Sequence, residues 1–418
     1  MTPSTLDDAR ALGPALTDLR RALHRVPEVG LDLPRTQALV LEALSGLDLE
    51  VSTGSALSSV TAVLRGGQRR PATGTADRER PVVLLRADMD ALPVHEDVDL
   101  DFRSTLDGAM HACGHDLHVA GLVGAARLLA ARRDELPGDV VLMFQPGEEG
   151  RDGAGAMIAE GVLEAAGRRP DAAWALHVFS TLGPRGIVTS RPGALMASSN
   201  ELHVTVRGRG GHGSAPEAAA DPVPAACEMV LGLQSLVSRT VSPFAPAVLT
   251  VGHLAAGNRA NVIPDTATFA ATVRCFDEAV LARLEHDTVR YCRGVAAGHG
   301  LEVDAEFRRQ YPVTVNDAAA VDLAERVVGA ALPPVVGGTG DDAAPFARMP
   351  HPIAGAEDFS RVLEAVPGAM LFLGARPPGV DPATAADNHS PRALFDDAVL
   401  PEAATVLAEL ARATLARA

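Results

Sequence analysis

Leucines at positions 12, 16, 19 and 23 recur at three- and four-residue steps, the spacing of one face of a helix, and the pattern stops at His24-Arg25-Val26-Pro27. A second helix follows Pro34 through Leu39, Leu41 and Leu44. The pattern then changes. Residues 60–64 read as a strand, and Pro81-Val82-Val83-Leu84-Leu85 is a short unbroken apolar run, as in a strand buried on both faces. Between them, residues 66–80 are rich in Gly, Arg, Thr and Pro and predict an exposed loop. Leu122, Ala125, Ala126 and Leu129 place a helix over 117–131; apolar runs at 139–144 and 173–178 predict two further buried strands. Strands alternating with helices imply an α/β fold with a mostly parallel sheet and helices on both faces.

Near residue 195 the pattern changes again. Residues 201–206 alternate as a half-buried strand, 208–213 form a glycine-rich turn, and a helix follows Pro222. Strands near 248–251 and 267–274, a helix over 280–295 and a strand near 301–307 complete a strand–helix–strand–strand–helix–strand order, the split βαβ pattern. From about Tyr311 helix–strand alternation returns, including the apolar run 369–373. The simplest layout is a discontinuous α/β domain, 1–193 and 310–418, carrying an inserted α+β domain over 194–309.

A chain of 418 residues is long for one core, which agrees with two domains. No window approaches the ~20 uninterrupted apolar residues of a membrane span, and Thr2 to Arg10 lacks the pattern of a secretory signal. The formal charge of −16 argues against nucleic acid or an anionic membrane as main partner. The four cysteines, Cys113, Cys227, Cys275 and Cys292, form no C-x-x-C pair. Cys227, Cys275 and Cys292 read as inert buried thiols, and a reducing cytoplasm fits this usage.

Candidate chemistry concentrates in two stretches. Met110-His111-Ala112-Cys113-Gly114-His115-Asp116 brings a thiol and imidazoles around a turn-making glycine, and Gln145-Pro146-Gly147-Glu148-Glu149-Gly150 puts two carboxylates after an apolar run. Thiolate and imidazole suit borderline-soft divalent metals. Of two adjacent glutamates, one can bind metal while the other takes a proton from an activated water. Locally, other readings stay open. Cys-x-His is commonly a plain loop with Asp116 near a helix N-cap, a bare Glu-Glu is commonly a solvated turn, and Cys113 can be a nucleophile with a His base. Asp88, Asp90, Glu148, Glu149 and His177 all fall at expected strand ends, where open α/β sheets gather ligands. His389 lies in a polar loop, and Arg274 interrupts a strand where it can hold a carboxylate. His24, His95, His111 and His118 acquire no role on local grounds.

Taken in order, these motifs resemble the M20 metallopeptidase family, specifically its amidohydrolase branch of hippurate hydrolases, auxin-conjugate hydrolases and N-acetyl-diaminopimelate deacetylases. The resemblance runs from Leu19-Arg20-Arg21-Ala22-Leu23-His24 through Arg86-Ala87-Asp88-Met89-Asp90-Ala91-Leu92-Pro93, the cysteine and Glu-Glu motifs, Ala175-Leu176-His177-Val178, Gly210-Gly211-His212 and Asn261-Val262-Ile263-Pro264-Asp265, to Glu357-Asp358-Phe359 and His389-Ser390-Pro391. It implies two divalent metal ions, zinc or manganese with cobalt admissible, held by Cys113, His115, Glu149, His177 and His389, with Cys113 as a bridge. It implies Glu148 as general base, Asp90 as a supporting acid, and His212, often from a neighbouring subunit, at the oxyanion. Asn261 and Arg274 would hold the substrate's carboxylate. Asp88 stands where other branches carry a liganding His, so its role stays open. The implied reaction is hydrolysis of an N-acyl amino acid or similar small amide, by a homodimer or higher homo-oligomer formed through the inserted domain. Cysteine-dependent acyl transfer through Cys113 and non-catalytic small-molecule binding are the alternatives. Three departures from the family pattern bear on substrate preference: Pro34 in place of a frequent glutamate, Asn388 in place of an apolar residue before His389, and a loop opened by Gly337-Gly338-Thr339-Gly340.

Overall fold

The computed structural model describes residues 4–68, 80–335 and 344–417. Most of the loop expected over 66–80, and the one opened by Gly337 to Gly340, lie outside the described residues. The chain divides into two compact units, one comprising residues 1–193, 315–351 and 361–418, the other 194–314 and 352–360.

The first unit begins with α1 (Thr5–His24) and α2 (Pro34–Leu44). A Ser4/Asp7 capping box starts α1, each side chain accepting the other's backbone N–H. Then come β1 (Glu50–Thr53), β2 (Val60–Leu64), β3 (Val82–Asp88), α3 (His115–Ala131), β4 (Asp139–Gln145), α4 (Gly153–Ala159), β5 (Ala172–Phe179) and β6 (Val188–Ser190). The chain leaves this unit along β7 (Gly193–Met196).

The second unit contains β8 (Ser199–Arg207), β9 (Gly211–His212), α5 (Pro222–Thr240), β10 (Ala247–Ala256), β11 (Val262–Ile263), β12 (Thr266–Cys275), α6 (Glu278–Gly298) and β13 (Glu302–Tyr311). After β14 (Thr314–Asn316) come α7 (Ala318–Ala331), β15 (Phe346–Arg348), α8 (Ser360–Ala365), β16 (Gly368–Gly374) and α9 (Leu400–Arg417).

The first unit's sheet has the order β1-β2-β4-β3-β5-β16-β6-β15. Its centre, β4-β3-β5-β16, is parallel throughout, while β2 joins β4 and β6 joins β16 antiparallel. Every residue of β2, β3, β4 and β16 is buried, which requires cover on both faces. One apolar cluster unites Leu16 and Leu23 of α1, Leu122 and Leu129 of α3, the central strands, and Leu407 and Leu410 of α9.

The second unit has its own core. An antiparallel sheet of order β10-β12-β8-β13 buries alternate residues of β8 and β12 beneath Met229, Leu233 and Leu236 of α5 and Leu284 of α6. Within the glycine-rich turn, Gly211 and His212 form a short strand paired with Val262 and Ile263. Cys275 and Cys292 are buried, but Cys227 is exposed, correcting the expectation for that thiol. The buried stripe of α5 is Ala225, Ala226, Met229, Leu233 and Leu236, and Cys227 points off it.

Candidate active site

The four central strands run in one direction, so their carboxyl ends share an edge, and each is followed by polar groups. Asp88 ends β3 and Asp90 follows it; Glu148 and Glu149 follow β4; His177 lies near the end of β5; and His389 sits in the loop beyond β16. Cys113 and His115 flank Gly114, the N-cap of α3, whose φ of +84° is a left-handed backbone. A Cβ at Gly114 would lie 2.5 Å from Val178 Cγ2, so only glycine makes the turn that presents both ligand candidates.

Side chains far apart in sequence converge here. Potential donor atoms of Cys113, His115 and His177 lie within 4.8 Å of one another, as do those of Cys113, Glu149 and His389, and those of His115, Glu148 and Glu149. Cys113 Sγ is 3.4 Å from His177 Nε2, and His389 Nε2 is 3.2 Å from Glu149 Oε1. His389 has a φ of +70°, unusual for a residue with a Cβ, and its N–H donates to the Ala112 carbonyl at 2.9 Å.

Hydrogen bonds behind the cluster fix which ring nitrogens face it. His115 Nδ1 donates to the Asp90 carbonyl at 2.8 Å, and His177 Nδ1 donates to the Val178 carbonyl at 2.8 Å. This tautomer leaves the Nε2 lone pairs for the cluster, as metal-binding histidines require. His115 Nε2 is buried with no hydrogen-bond partner among the described residues. An orphaned imidazole nitrogen among a thiol and carboxylates fits a borderline-soft divalent cation. The electrostatics agree. Cys113 first and Glu149 second raise the His389 imidazole to about 10, so a positive charge among these three groups is strongly favoured. Burial opposes charge on His115, but Asp88 and Cys113 outweigh it and raise that ring well above the ordinary histidine value. Burial, followed by His118, holds His177 well below it, in the neutral form.

The two aspartates left open by the sequence have different surroundings. Asp90 accepts the Glu148 N–H at Oδ1 (3.0 Å) and the Glu149 N–H at Oδ2 (3.1 Å), gripping the Glu-Glu turn by its backbone. Asp88 accepts from Arg86 Nη1 at 2.6 Å and from His118 Nδ1 at 2.5 Å. His118 Nε2 in turn accepts the Val178 N–H at 2.8 Å, so both its nitrogens are committed to holding neighbours. His118 has no role in the sequence reading, yet it lies three residues after His115, one turn along the same helical face, and that spacing was the available signal. The N-cap of α3 is Gly114, and Asp116 beside it accepts the first-turn Leu117 N–H at Oδ1, 3.1 Å. Its Oδ2 pairs with Arg20 Nε at 2.8 Å and His24 Nδ1 at 2.8 Å, and His24 Nε2 reaches Glu96 at 3.0 Å.

His212, Asn261 and Arg274 belong to the second unit. His212 Nδ1 accepts the Ser214 N–H at 3.2 Å, and the Asn261 carbonyl accepts the Gly213 N–H at 2.9 Å, so these two neighbour each other across β9 and β11. Arg274 is half-buried on β12, where burial lowers its pKa against the opposing pull of Glu201.

Residues 84–413 match the model of peptidase family M20/M25/M40. Thermostable carboxypeptidase 1 of Saccharolobus solfataricus is 34% identical over 398 residues, covering 94% of each chain. IAA-amino acid hydrolase ILR1-like 2 of Arabidopsis thaliana is 34% identical over 400 residues, 95% of this chain and 84% of that one. Among solved structures, the YXEP protein of Bacillus subtilis, a dinuclear metal binding peptidase from the M20 family, superposes with a TM-score of 0.79 at 29% identity, covering 97% of this chain and 99% of the other. With the family model spanning most of its length and relatives of this identity aligned almost end to end, the chain belongs to the M20/M25/M40 peptidase family and is a metal-dependent hydrolase of amide bonds.

Proposed function

We propose that the chain hydrolyses the amide bond of N-acyl amino acids or similar small conjugates, releasing a carboxylic acid and a free amino acid. The observation that carries this reading is the overlap of the side-chain clusters at the strand ends, in which Cys113 and His115 are each shared between groups. Cys113, His115, Glu149, His177 and His389 would hold two divalent ions, zinc or manganese with cobalt admissible, and Cys113, common to two of the groups, would serve both. When bound, the ions supply Lewis-acid polarisation of the scissile carbonyl and a lowered pKa for the attacking water.

The chain's own residues do the rest. Glu148, 7% exposed and gripped through its backbone by Asp90, takes the proton of the attacking water and delivers it to the leaving amine. His212 stabilises the oxyanion. Arg274 and Asn261 hold the substrate carboxylate; burial disfavours the guanidinium charge, and a carboxylate partner offsets that cost. The second unit serves as lid and dimer surface. In support, β10 is an edge strand with mostly exposed residues, and Phe244 (95% exposed) and Leu231 (72%) leave apolar side chains in solvent. No helix among the described residues is long and apolar enough to cross a membrane, and the four free cysteines accord with a cytoplasmic setting.

Removal of metal by a chelator should abolish turnover of an N-acyl amino acid panel, and added zinc, manganese or cobalt should restore it. Metal-independent turnover lost on thiol alkylation would transfer the reaction to Cys113. Bound metal without turnover of any panel member would leave a binding protein.

A further inference from the structure

We infer that Asn388 is a positioning residue for the metal cluster, a carboxamide clasp that ties the segments bearing Cys113, His177 and His389 into one frame. The inference rests on the ligand assignment proposed above. Asn388 is one of the departures from the family pattern, and its side chain has an unusual set of partners. Nδ2 donates to the Val178 carbonyl at 3.0 Å and to the Cys113 carbonyl at 3.2 Å, and lies 3.8 Å from Cys113 Sγ. Oδ1 accepts the Ser180 N–H at 3.0 Å and the Ser180 hydroxyl at 3.1 Å.

A carboxamide has two N–H donors and two acceptor lone pairs; here both donors are used, one lone pair takes the Ser180 N–H, and the other faces a hydroxyl that also reaches the Ala386 carbonyl at 2.8 Å. Only one orientation satisfies this set. Flipped by 180°, the oxygen would face two carbonyls and the NH2 would face an N–H donor. The partners are the residues that carry or adjoin ligand candidates. Cys113 is one itself, Val178 and Ser180 follow His177, and Asn388 precedes His389. The Val178 carbonyl also accepts from His177 Nδ1, so the atom that orients the His177 ring is itself held by Asn388. At the next residue the His389 N–H donates to the Ala112 carbonyl with φ at +70°, so this segment is tied by backbone and side chain together. An apolar residue at 388 would take these donors from the Cys113 and Val178 carbonyls, leaving the His389 N–H to the Ala112 carbonyl and the Ser180 hydroxyl to the Ala386 carbonyl to hold the segments together.

The test is made on the metal-loaded enzyme with cobalt(II) as probe. Wild-type protein should show a thiolate-to-cobalt charge-transfer band that Cys113→Ala abolishes. Absence of that band in the wild type would remove the ligand assignment itself, a different failure from that of the clasp. Given the band, Asn388→Ala should shift it and weaken metal binding about 10–100-fold in chelator competition, the usual effect of losing a group that orients ligands. The metal-free protein loses these bonds too and should melt lower, so the shift of the band, which a loss of stability alone does not produce, separates positioning from a purely structural role. Asn388→Asp keeps the acceptor end but sets a carboxylate against two carbonyls, so it should fail to rescue. Should Asn388→Ala not fold, Ser180→Ala decides. It removes the hydroxyl from Oδ1 and from the Ala386 carbonyl, two ties to the same segment, and should weaken metal binding in the same direction by a smaller factor. An unchanged band and wild-type metal affinity in the Asn388 variants, or in Ser180→Ala where that variant decides, would overturn the inference.

Discussion

Replacing Asp90 with Asn tests how the Glu-Glu turn is held. The carboxylate is 1% exposed and uses each oxygen for one backbone N–H, at 3.0 and 3.1 Å. A hydrogen bond to a charged group contributes roughly 1.5–3 kcal/mol, and a neutral one about 1. Asparagine keeps one of the two bonds in weaker, neutral form. Whichever way its amide turns, the other position sets an NH2 against an N–H, leaving a buried donor unsatisfied at about 1–3 kcal/mol. Removing a negative charge beside Glu148 and Glu149 returns part of this, least in the metal-loaded protein, where cations already neutralise the carboxylates. The expected net loss in the holoenzyme is about 3 kcal/mol, and for a unit of this size a fall in melting temperature of roughly 3–5 °C.

His115 is anchored by the Asp90 main-chain carbonyl, which the substitution leaves in place, so the damage should concentrate on the glutamates. Displacement of Glu148 by about 1 Å should lower kcat on the order of 10²-fold. Thermal unfolding of the holoenzyme and steady-state kinetics on the best N-acyl amino acid of the panel read both effects. A variant with wild-type melting temperature and kcat within twofold would refute the idea that this carboxylate sets the position of the glutamates.

Three further outcomes are expected. Glu148→Gln should lose about 10²–10⁴-fold in kcat while metal content stays at the wild-type level, measured by elemental analysis beside kinetics. Gly114→Ala must take up a left-handed φ and meets Val178 Cγ2 at 2.5 Å, so it should cost at least about 2 kcal/mol in urea unfolding, with loss of metal. Burial raises the pKa of Glu402, whose Oε2 has no hydrogen-bond partner among the described residues, against the pull of Arg10 and Arg185. A carboxyl with a higher pKa folded than unfolded subtracts stability as pH rises above the unfolded value of 4.5, until pH passes the folded one. Glu402→Gln should therefore be more stable than the wild type at pH 7, with the two converging below about pH 4; equal stability at pH 7 would contradict the assignment.

Elements that bury a long apolar pattern were legible in the sequence. The leucine repeat of α1 and the unbroken runs of β3, β4 and β16 each announce themselves because burial dictates their composition. The strand β1 gave no signal, since Glu50, Val51, Ser52 and Thr53 are all exposed and pair only along an edge. The same limit applies to the site. Cysteine, histidine and glutamate left several local readings open, and the resemblance to the family singled out the side chains that the structure brings together, with Asp90 behind them. The other supports carried no signal, because their meaning lies in partners distant along the chain. Asn388 meets residues 275 and 210 positions away, and His24 meets Asp116 across 92. Asp116 shows how local reasoning sees half of such a residue. One oxygen accepts a first-turn N–H of α3, as its position suggests, while Arg20 and His24 of α1 hold the other.

The spacing of the cluster along the chain also sets an order of events at the ribosome. His177 and His389 are about 210 residues apart, so at 5–20 residues per second the last proposed ligand emerges roughly 10–40 s after the fourth. The intervening second unit has its own apolar core and can fold in that interval. Cys113, Glu149 and His177 meanwhile wait without His389 and without the Asn388 carboxamide. Full coordination is thus available only to a chain translated past residue 389, and metal retention reports that synthesis has passed that point.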